Sequence, residues 1–483
     1  MRSRVVQRLL GLLLALFSTT MLPPLIVSLL FDDGEWRVFG ESLVVILFAG
    51  LVLWWPVRNE RGELRLRDGF IVVALFWIVL GVFGCAPFLL EDSLELTMTD
   101  AVFESISGLT TTGATILVGL DSMAPSLLFY RQQLQWFGGL GIIVLAVAVL
   151  PMLGVGGMQL YRAETPGPMK DSKLTPKITQ TAKALWYVYL GITVICALSY
   201  WLAGMTAFDA ICHSFSTVAI GGFSTHDASL GYFDSLIIES VATVFMLIAG
   251  VNFALHFLSW RSRDLTVYLS DPELRAYLKI LGGTCVVVLS YLWISGYHPS
   301  PVDAVTEGIF QVVSVATTTG FTTAAFHEWP GSVPVLLIFA SFIGGCAGST
   351  AGGMKVVRWL LLYKQGVREI KRLVHPSAEI PVKLGDKAVS PRVVDSVWGF
   401  FAIYVVVMAA LILILMATGL DSASAFAAVA ATLNNLGPGL GEVASGFSSV
   451  TDVAKWAAIC AMLLGRLEIF TILVLVTPTF WQR

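Results

Sequence analysis

The chain has 483 residues, 56% of them hydrophobic and only 13% charged, with a mean hydropathy of +0.79. A water-soluble fold of this length needs far more charge to cover its surface, so the composition argues against a soluble globular protein and for a bilayer as solvent. The net charge of −3 decides little, because placement matters more than the sum.

In chain order, the first apolar run (9–30) follows Arg2, Arg4 and Arg8 in the manner of a signal peptide. It lacks an A-x-A cleavage site and is long enough to span, so it is expected to stay as a first helix. Runs of spanning length follow at 39–56, 69–90, 127–153, 184–203, 236–258, 278–296, 332–343 (continuing past an interruption to 363), 397–418 and 455–477. That predicts about ten crossings in an all-α membrane protein. Of the 30 Lys and Arg residues, all but Arg37, Arg131, Lys455 and Arg466 lie at the termini or in the loops 58–67, 162–183, 261–279 and 355–392. The positive-inside rule then puts both termini in the cytoplasm. Lipid, not nucleic acid, is the expected surrounding. Cys85, Cys196, Cys212, Cys285, Cys346 and Cys460 are scattered, form no C-x-x-C pair and are expected to be buried small hydrophobes.

Between certain spans lie four shorter segments, 97–109, 206–217, 303–316 and 421–433, too short to cross and suited to re-entrant half-helices. Each runs into a small, polar, glycine-containing stretch. "DAVFESISGLTTTGAT" ends on Thr110, Thr111, Thr112 and Gly113, and "DAICHSFSTVAIGGFS" supplies Ala219, Ile220, Gly221 and Gly222. "EGIFQVVSVATTTGFT" supplies Thr317, Thr318, Thr319 and Gly320, and "SAFAAVAATLNNLGPG" supplies Asn434, Asn435, Leu436 and Gly437. The glycines stand 109, 98 and 117 residues apart, a fourfold repeat in which the first and third copies match best. One copy alone would suit close helix packing by Thr and Gly. Four copies at matching topological positions point instead to an ion filter. Irregular backbone at membrane depth must line a protein-enclosed cavity, where rings of carbonyl oxygens replace a cation's hydration shell. Glycine permits the positive φ such loops need, and the half-helix C-termini favour a cation. No nucleophile–base constellation or metal-ligand spacing suggests an enzyme. A broken-helix secondary transporter is the competing class, but inverted repeats are expected there, and all four units here start and end on the same side.

These four stretches, with "LQWFGGLGIIVLAVAVLP" (134–151), "GGCAGSTAGGMK" (344–355), "NNLGPGLG" (434–441) and "GRLEIFTILVL" (465–475), resemble the membrane subunit of bacterial Trk potassium uptake systems, in the Trk/Ktr/HKT superfamily. The resemblance covers essentially the whole chain. It implies four membrane–pore–membrane repeats around one pore (68–165, 166–265, 266–375, 376–483) after an N-terminal two-helix extension (1–67). It also implies a homodimer in the bacterial inner membrane, with K+ as transported ion and no cofactor in this chain. In that superfamily glycine at all four filter positions goes with potassium preference, whereas a serine in the first marks sodium carriers.

Gly344, Gly345, Gly348, Gly352 and Gly353, with Ser349, Thr350 and Lys355 among them, interrupt what should be a spanning helix. Continuous helix there would cost about 1 kcal/mol per glycine relative to alanine. The segment holds no G-x-x-x-x-G-K-[ST] phosphate loop. A cavity-lining break fits it, and a glycine-rich kink for packing is the alternative; the resemblance implies an intramembrane gating loop. Arg466, expected near the middle of the last span, is either functional or one half of a buried ion pair with another helix; Glu468 is two residues away and off its face. The resemblance implies a place beside the pore below the filter. Asp121, Asp227, Glu328 and Glu442 follow the filter glycines by 8, 5, 8 and 5 residues, as an outer acidic ring or as solvated surface charge. Asn252 and His256 are expected to satisfy interhelical hydrogen bonds. The basic segment 364–392 reads as cytoplasmic flank; the resemblance implies that a ring of cytosolic nucleotide-binding subunits of Rossmann type, holding ATP/ADP or NAD, docks there.

Overall fold

The computed structural model describes residues 3–60, 66–141, 178–298 and 300–482. The second half of the expected span 127–153, the loop up to 177 and the boundary between the first two repeats fall outside the described residues. Six described helices are long and apolar enough to cross a bilayer: Ser3–Phe31, Trp36–Val57, Arg67–Leu90, Ala182–Leu202, Pro272–Ser295 and Pro391–Ala417. Two further candidate spans are bent helix pairs, Leu236–Ala249 with Phe253–Ser262 at 91° and Asp452–Arg466 with Phe470–Val476 at 112°. The described residues are therefore almost wholly helical, with a hairpin of two-residue strands at Lys383–Leu384 and Lys387–Ala388 as a small exception in the basic segment.

Both bends correct an expectation of continuous helix. At the first, Asn252 accepts a hydrogen bond from Ala254 N–H and caps the outgoing helix. The freed groups find partners on the glycine-rich segment: Cys346 N–H donates to Gly250 O (2.9 Å) and Phe253 N–H to Gly348 O (3.0 Å). At the second, Glu468 and Ile469 adopt positive φ (51° and 25°), so Arg466 sits at a helix C-terminus, not in mid-span. The break in the third unit lies where glycine content puts it, between Val333–Ser341 and Val356–Val374.

The four half-helices are Met98–Leu109, Ala207–Ala219, Pro301–Ala316 and Ser422–Leu433. At 1.5 Å per residue they reach about 18–24 Å, short of the roughly 30 Å hydrocarbon core. Each begins with a side-chain cap on its free amides: Thr97, Thr206, Ser300 and Asp421. Their final two turns are buried except for the half-buried Phe215, whereas the long helices expose large apolar side chains such as Phe48, Leu202 and Val406. The half-helices thus form the core, and the spans wrap it.

His256 bridges helices as expected, with Nδ1 2.8 Å from Tyr268 Oη. Cys85, Cys196, Cys212 and Cys346 are buried and Cys285 is half-buried, but Cys460 lies exposed on its helix, against expectation.

Candidate functional site

All four half-helices end in the same way. The N–H of Thr112, Gly221, Thr319 and Leu436 donates five residues back, to Ser107 O, Ser216 O, Ser314 O and Ala431 O, at 2.8–2.9 Å. The preceding N–H donates three residues back, closing a Schellman motif. That motif needs one left-handed residue, and here it is not glycine: φ is +55° at Thr111, +54° at Ile220, +67° at Thr318 and +54° at Asn435. Three of these are β-branched, so each is held at a cost of roughly 1–3 kcal/mol. Two residues later the glycines turn again, with φ of +79°, +77°, +82° and +96° at Gly113, Gly222, Gly320 and Gly437. Three different sequences, with Thr-Thr-Thr-Gly occurring twice, share one backbone path.

The four paths close into a ring. A Cβ added to Gly113 would stand 2.0 Å from Gly221 O, one on Gly222 2.0 Å from Thr319 O, one on Gly320 2.1 Å from Leu436 O, and one on Gly437 2.7 Å from Thr112 O. Each glycine therefore faces the carbonyl of the residue before the next unit's glycine, in the order 1–2–3–4–1. No side chain fits without backbone movement. The arrangement brings together the sixteen residues named from sequence, ends four half-helix dipoles at one place, and offers hard backbone and threonine oxygens suited to a bare cation.

The left-handed residues hang their side chains on the layer beneath, which accounts for how their strain is held. Arg466 Nη1 donates to Thr111 Oγ1 (3.1 Å), and Gly352 N–H donates to Thr318 Oγ1 (2.7 Å). Asn435 Nδ2 donates to Met462 O (3.0 Å) and to Thr112 Oγ1 (2.9 Å). Ile220 packs with Ala249 and Ala351. The glycine-rich segment thus lies directly under the ring: Gly353 N–H also donates to Asn434 O (3.0 Å) and Thr350 Oγ1 to Val218 O (2.9 Å). Gly344, Gly348 and Gly353 all have positive φ, and Gly345, Ser349 and Thr350 complete the turns between them. Lys355, buried, donates to Ala351 O. Arg466 also reaches Thr350 O (3.3 Å), Gly139 O (2.6 Å) and Gly138 O. Glu468, two residues on, instead meets Arg358 at 2.6 Å.

A set of polar braces was missed from sequence. The residue six before each first filter position is Glu104, His213, Gln311 and Ala428. The three polar ones are fully buried and hold the chain leaving the ring. Glu104 accepts from Thr115 Oγ1 and Ile116 N–H, and His213 Nε2 lies 2.9 Å from Ser224 Oγ. Gln311, its amide turned to suit its neighbours, accepts from Thr323 N–H at 2.8 Å. A buried charge at Glu104 needs a partner, and Arg131 supplies it at 2.8 Å while donating to Ser224 O at 3.2 Å. Aligning the repeats would have exposed this column of polar residues inside apolar half-helices.

The outer acidic residues do not behave as one group. Asp121 and Asp227 come together, where Asp121 meets His226 at 2.5 Å and Asp227 accepts from Gly119 N–H at 3.0 Å. The His226 hydrogen bond holds the Asp121 carboxyl below its usual range. Glu328 and Glu442 lie in two separate short turns, Phe326–Glu328 and Gly441–Val443.

A family model described as TrkH, a cation transport protein, matches residues 36–483. The chain is 58% identical over 486 residues to the Trk system potassium uptake protein TrkH of Vibrio parahaemolyticus serotype O3:K6, covering 100% of both. It is 57% identical over 483 residues to the protein of that name from Escherichia coli K12, again covering 100% of both. Its backbone is similar to the crystal structure of the potassium transporter TrkH from Vibrio parahaemolyticus, with a TM-score of 0.91 at 56% identity over 100% of each chain.

Proposed function

Because this chain belongs to the TrkH family of cation transport proteins, we propose that it takes up potassium across the bacterial inner membrane through the ring of four filter loops. The observation that carries this reading is the closure of the ring, in which each filter glycine abuts the next unit's carbonyl. An ion entering from the outside sheds water to the carbonyls and threonine hydroxyls of residues 110–113, 219–222, 317–320 and 434–437. The segment 344–353 below is the gate, and Arg466 beside it is an electrostatic barrier to cations. The units run 68–165, 166–265, 266–375 and 376–483, after the helix pair of 1–67, with both termini in the cytoplasm.

Regulation enters from the same side. A cytosolic ring of nucleotide-binding subunits, loaded with ATP/ADP or NAD, docks on the basic segment 364–392 of a homodimer. The helix Val356–Val374 leads from that segment straight to the gate. Rubidium uptake into proteoliposomes, with sodium as competitor and with or without an imposed pH gradient, tests the reading. Uptake that follows the rubidium gradient, resists sodium and ignores the pH gradient is expected. Uptake that requires the pH gradient would favour a coupled broken-helix transporter, for which the 91° and 112° bends would be hinges.

A further inference from the structure

One buried side chain breaks the fourfold equivalence of the ring. Four carbonyls abut the glycines: Thr112 O, Gly221 O, Thr319 O and Leu436 O. Among the described residues, the first, third and fourth receive no hydrogen bond. Gly221 O receives one from Gln135 Nε2 at 2.6 Å. The same amide accepts through Oε1 from Phe223 N–H at 3.1 Å. The carboxamide therefore clamps the backbone on both sides of Gly222, and the chemistry of its two partners fixes which end is oxygen. Gln135 is fully buried on Pro125–Trp136, the helix that follows the first filter stretch, so the clamp joins two units.

A carbonyl that already holds a donor has one lone pair engaged and a positive N–H close to its oxygen. It is less free to turn and attracts a cation less than its three counterparts. Gly221 has the least intrinsic restraint of the four position-three residues, since the others are Thr, Thr and Leu. It is the carbonyl most able to swing, and the one that is tied. We propose that Gln135 is a positioning residue for ion selectivity: it holds the Gly221 carbonyl in a fixed, weakened orientation, leaving three free carbonyls at this level of the ring. This rests on the reading of the ring as the ion filter.

The test compares two glutamines one turn apart. Gln132, also fully buried, donates to Phe223 O at 3.2 Å and touches no filter carbonyl. Gln135→Met removes the clamp at similar volume, and Gln132→Met removes a comparable buried amide bond. Purified full-length variants are assayed for rubidium uptake against increasing sodium, with Gly113→Ser in parallel. Gln135→Met is expected to lower rubidium-over-sodium preference about five- to tenfold, and Gln132→Met less than twofold. Gln135→Leu reads the same quantity should the Met variant not assemble. If the two glutamine variants behave alike, Gln135 is structural and the proposal is overturned. If Gly113→Ser loses selectivity and Gln135→Met does not, the proposal fails while the filter stands. If Gly113→Ser keeps selectivity, the filter reading itself fails, and this proposal with it.

Discussion

The molecule has two layers of irregular backbone at membrane depth, and they differ in symmetry. The outer layer repeats one Schellman end, one left-handed residue and one left-handed glycine in all four units. Among the described residues the inner layer is not repeated: it joins the 344–353 segment of the third unit, Arg466 of the fourth and the 250–252 bend of the second. On the proposed reading, a cation at the axis asks for like backbone ligands from every side, which would account for the repetition above. On the same reading, control needs a segment that can leave, and one loop of low helix stability suffices. Across the four units the backbone stays equivalent even as the side chains diverge to Ala-Ile-Gly-Gly and Asn-Asn-Leu-Gly.

The hardest way to break this contrast is to put a side chain into the outer layer. In Gly113→Ser the new Cβ must displace the Gly221 carbonyl from 2.0 Å. Rubidium-over-sodium preference should fall at least tenfold, equivalent to about 1.4 kcal/mol. Gly437→Ala should be the mildest of the four glycine substitutions, because its Cβ would stand 2.7 Å from Thr112 O where the others stand at 2.0–2.1 Å. Sodium competition across the series reads the order; a Gly437 variant as damaging as Gly113→Ser would show that the ring is not read unit by unit.

Changes to the inner layer should act on rate and spare selectivity. Shortening the segment within 345–352 is expected to raise flux several-fold and to weaken dependence on the cytosolic partner. Flux at the parental rate with full partner response would reduce the break to a packing device. Arg466→Ala should raise flux by a smaller factor, since it removes one positive charge but also leaves Gly138 O and Gly139 O without this donor. Orphaned acceptors cost about 1–3 kcal/mol each where water cannot reach, so thermal stability should drop together with the gain. A folded variant that conducts less would make Arg466 a structural tie.

Legibility followed the same division. The half-helices and their loops could be read because capping residues, length and glycine spacing are local signals, repeated four times. The interruption at 344–353 was legible from glycine content alone. The bends at 250–252 and 467–469 were not, because hydropathy runs through them unbroken; their orphaned groups are satisfied by a segment about a hundred residues away or by a left-handed pair at Glu468 and Ile469. Arg466 was noticed for its charge, but backbone oxygens and a hydroxyl are among its partners, which no pattern of charged residues could announce. Glu104 and Arg131 were missed as a pair because they lie 27 residues apart on different helices and meet only when the loop between them folds back.

The smallest expected effect lies outside both layers, and it checks that they are the ones that matter. At the outer turn of the N-terminal helix pair, Asp33 accepts from Ser126 N–H at 3.0 Å and fastens the pair to the first unit. Beside it the Glu35 carboxyl is pushed up to about 8, first by burial and then by a hydrogen bond and charge repulsion from Glu91, with Asp33 adding to it. The folded protein therefore holds a proton that the unfolded chain releases near 4.5. Stability from this group is complete below that value and drains away as pH rises through 8, because unfolding releases the proton and rising pH favours that release until the folded carboxyl also ionises. Glu35→Gln is neutral at every pH and removes the dependence. Its melting temperature should fall less between pH 5 and pH 9 than that of the parent, by a degree or two at most given the partial exposure of the site. Rubidium flux and sodium competition should match the parent at both pH values. Equal slopes of melting temperature with pH would mean that Glu35 and Glu91 do not share a proton. Altered selectivity would mean that the N-terminal pair reaches the ring after all.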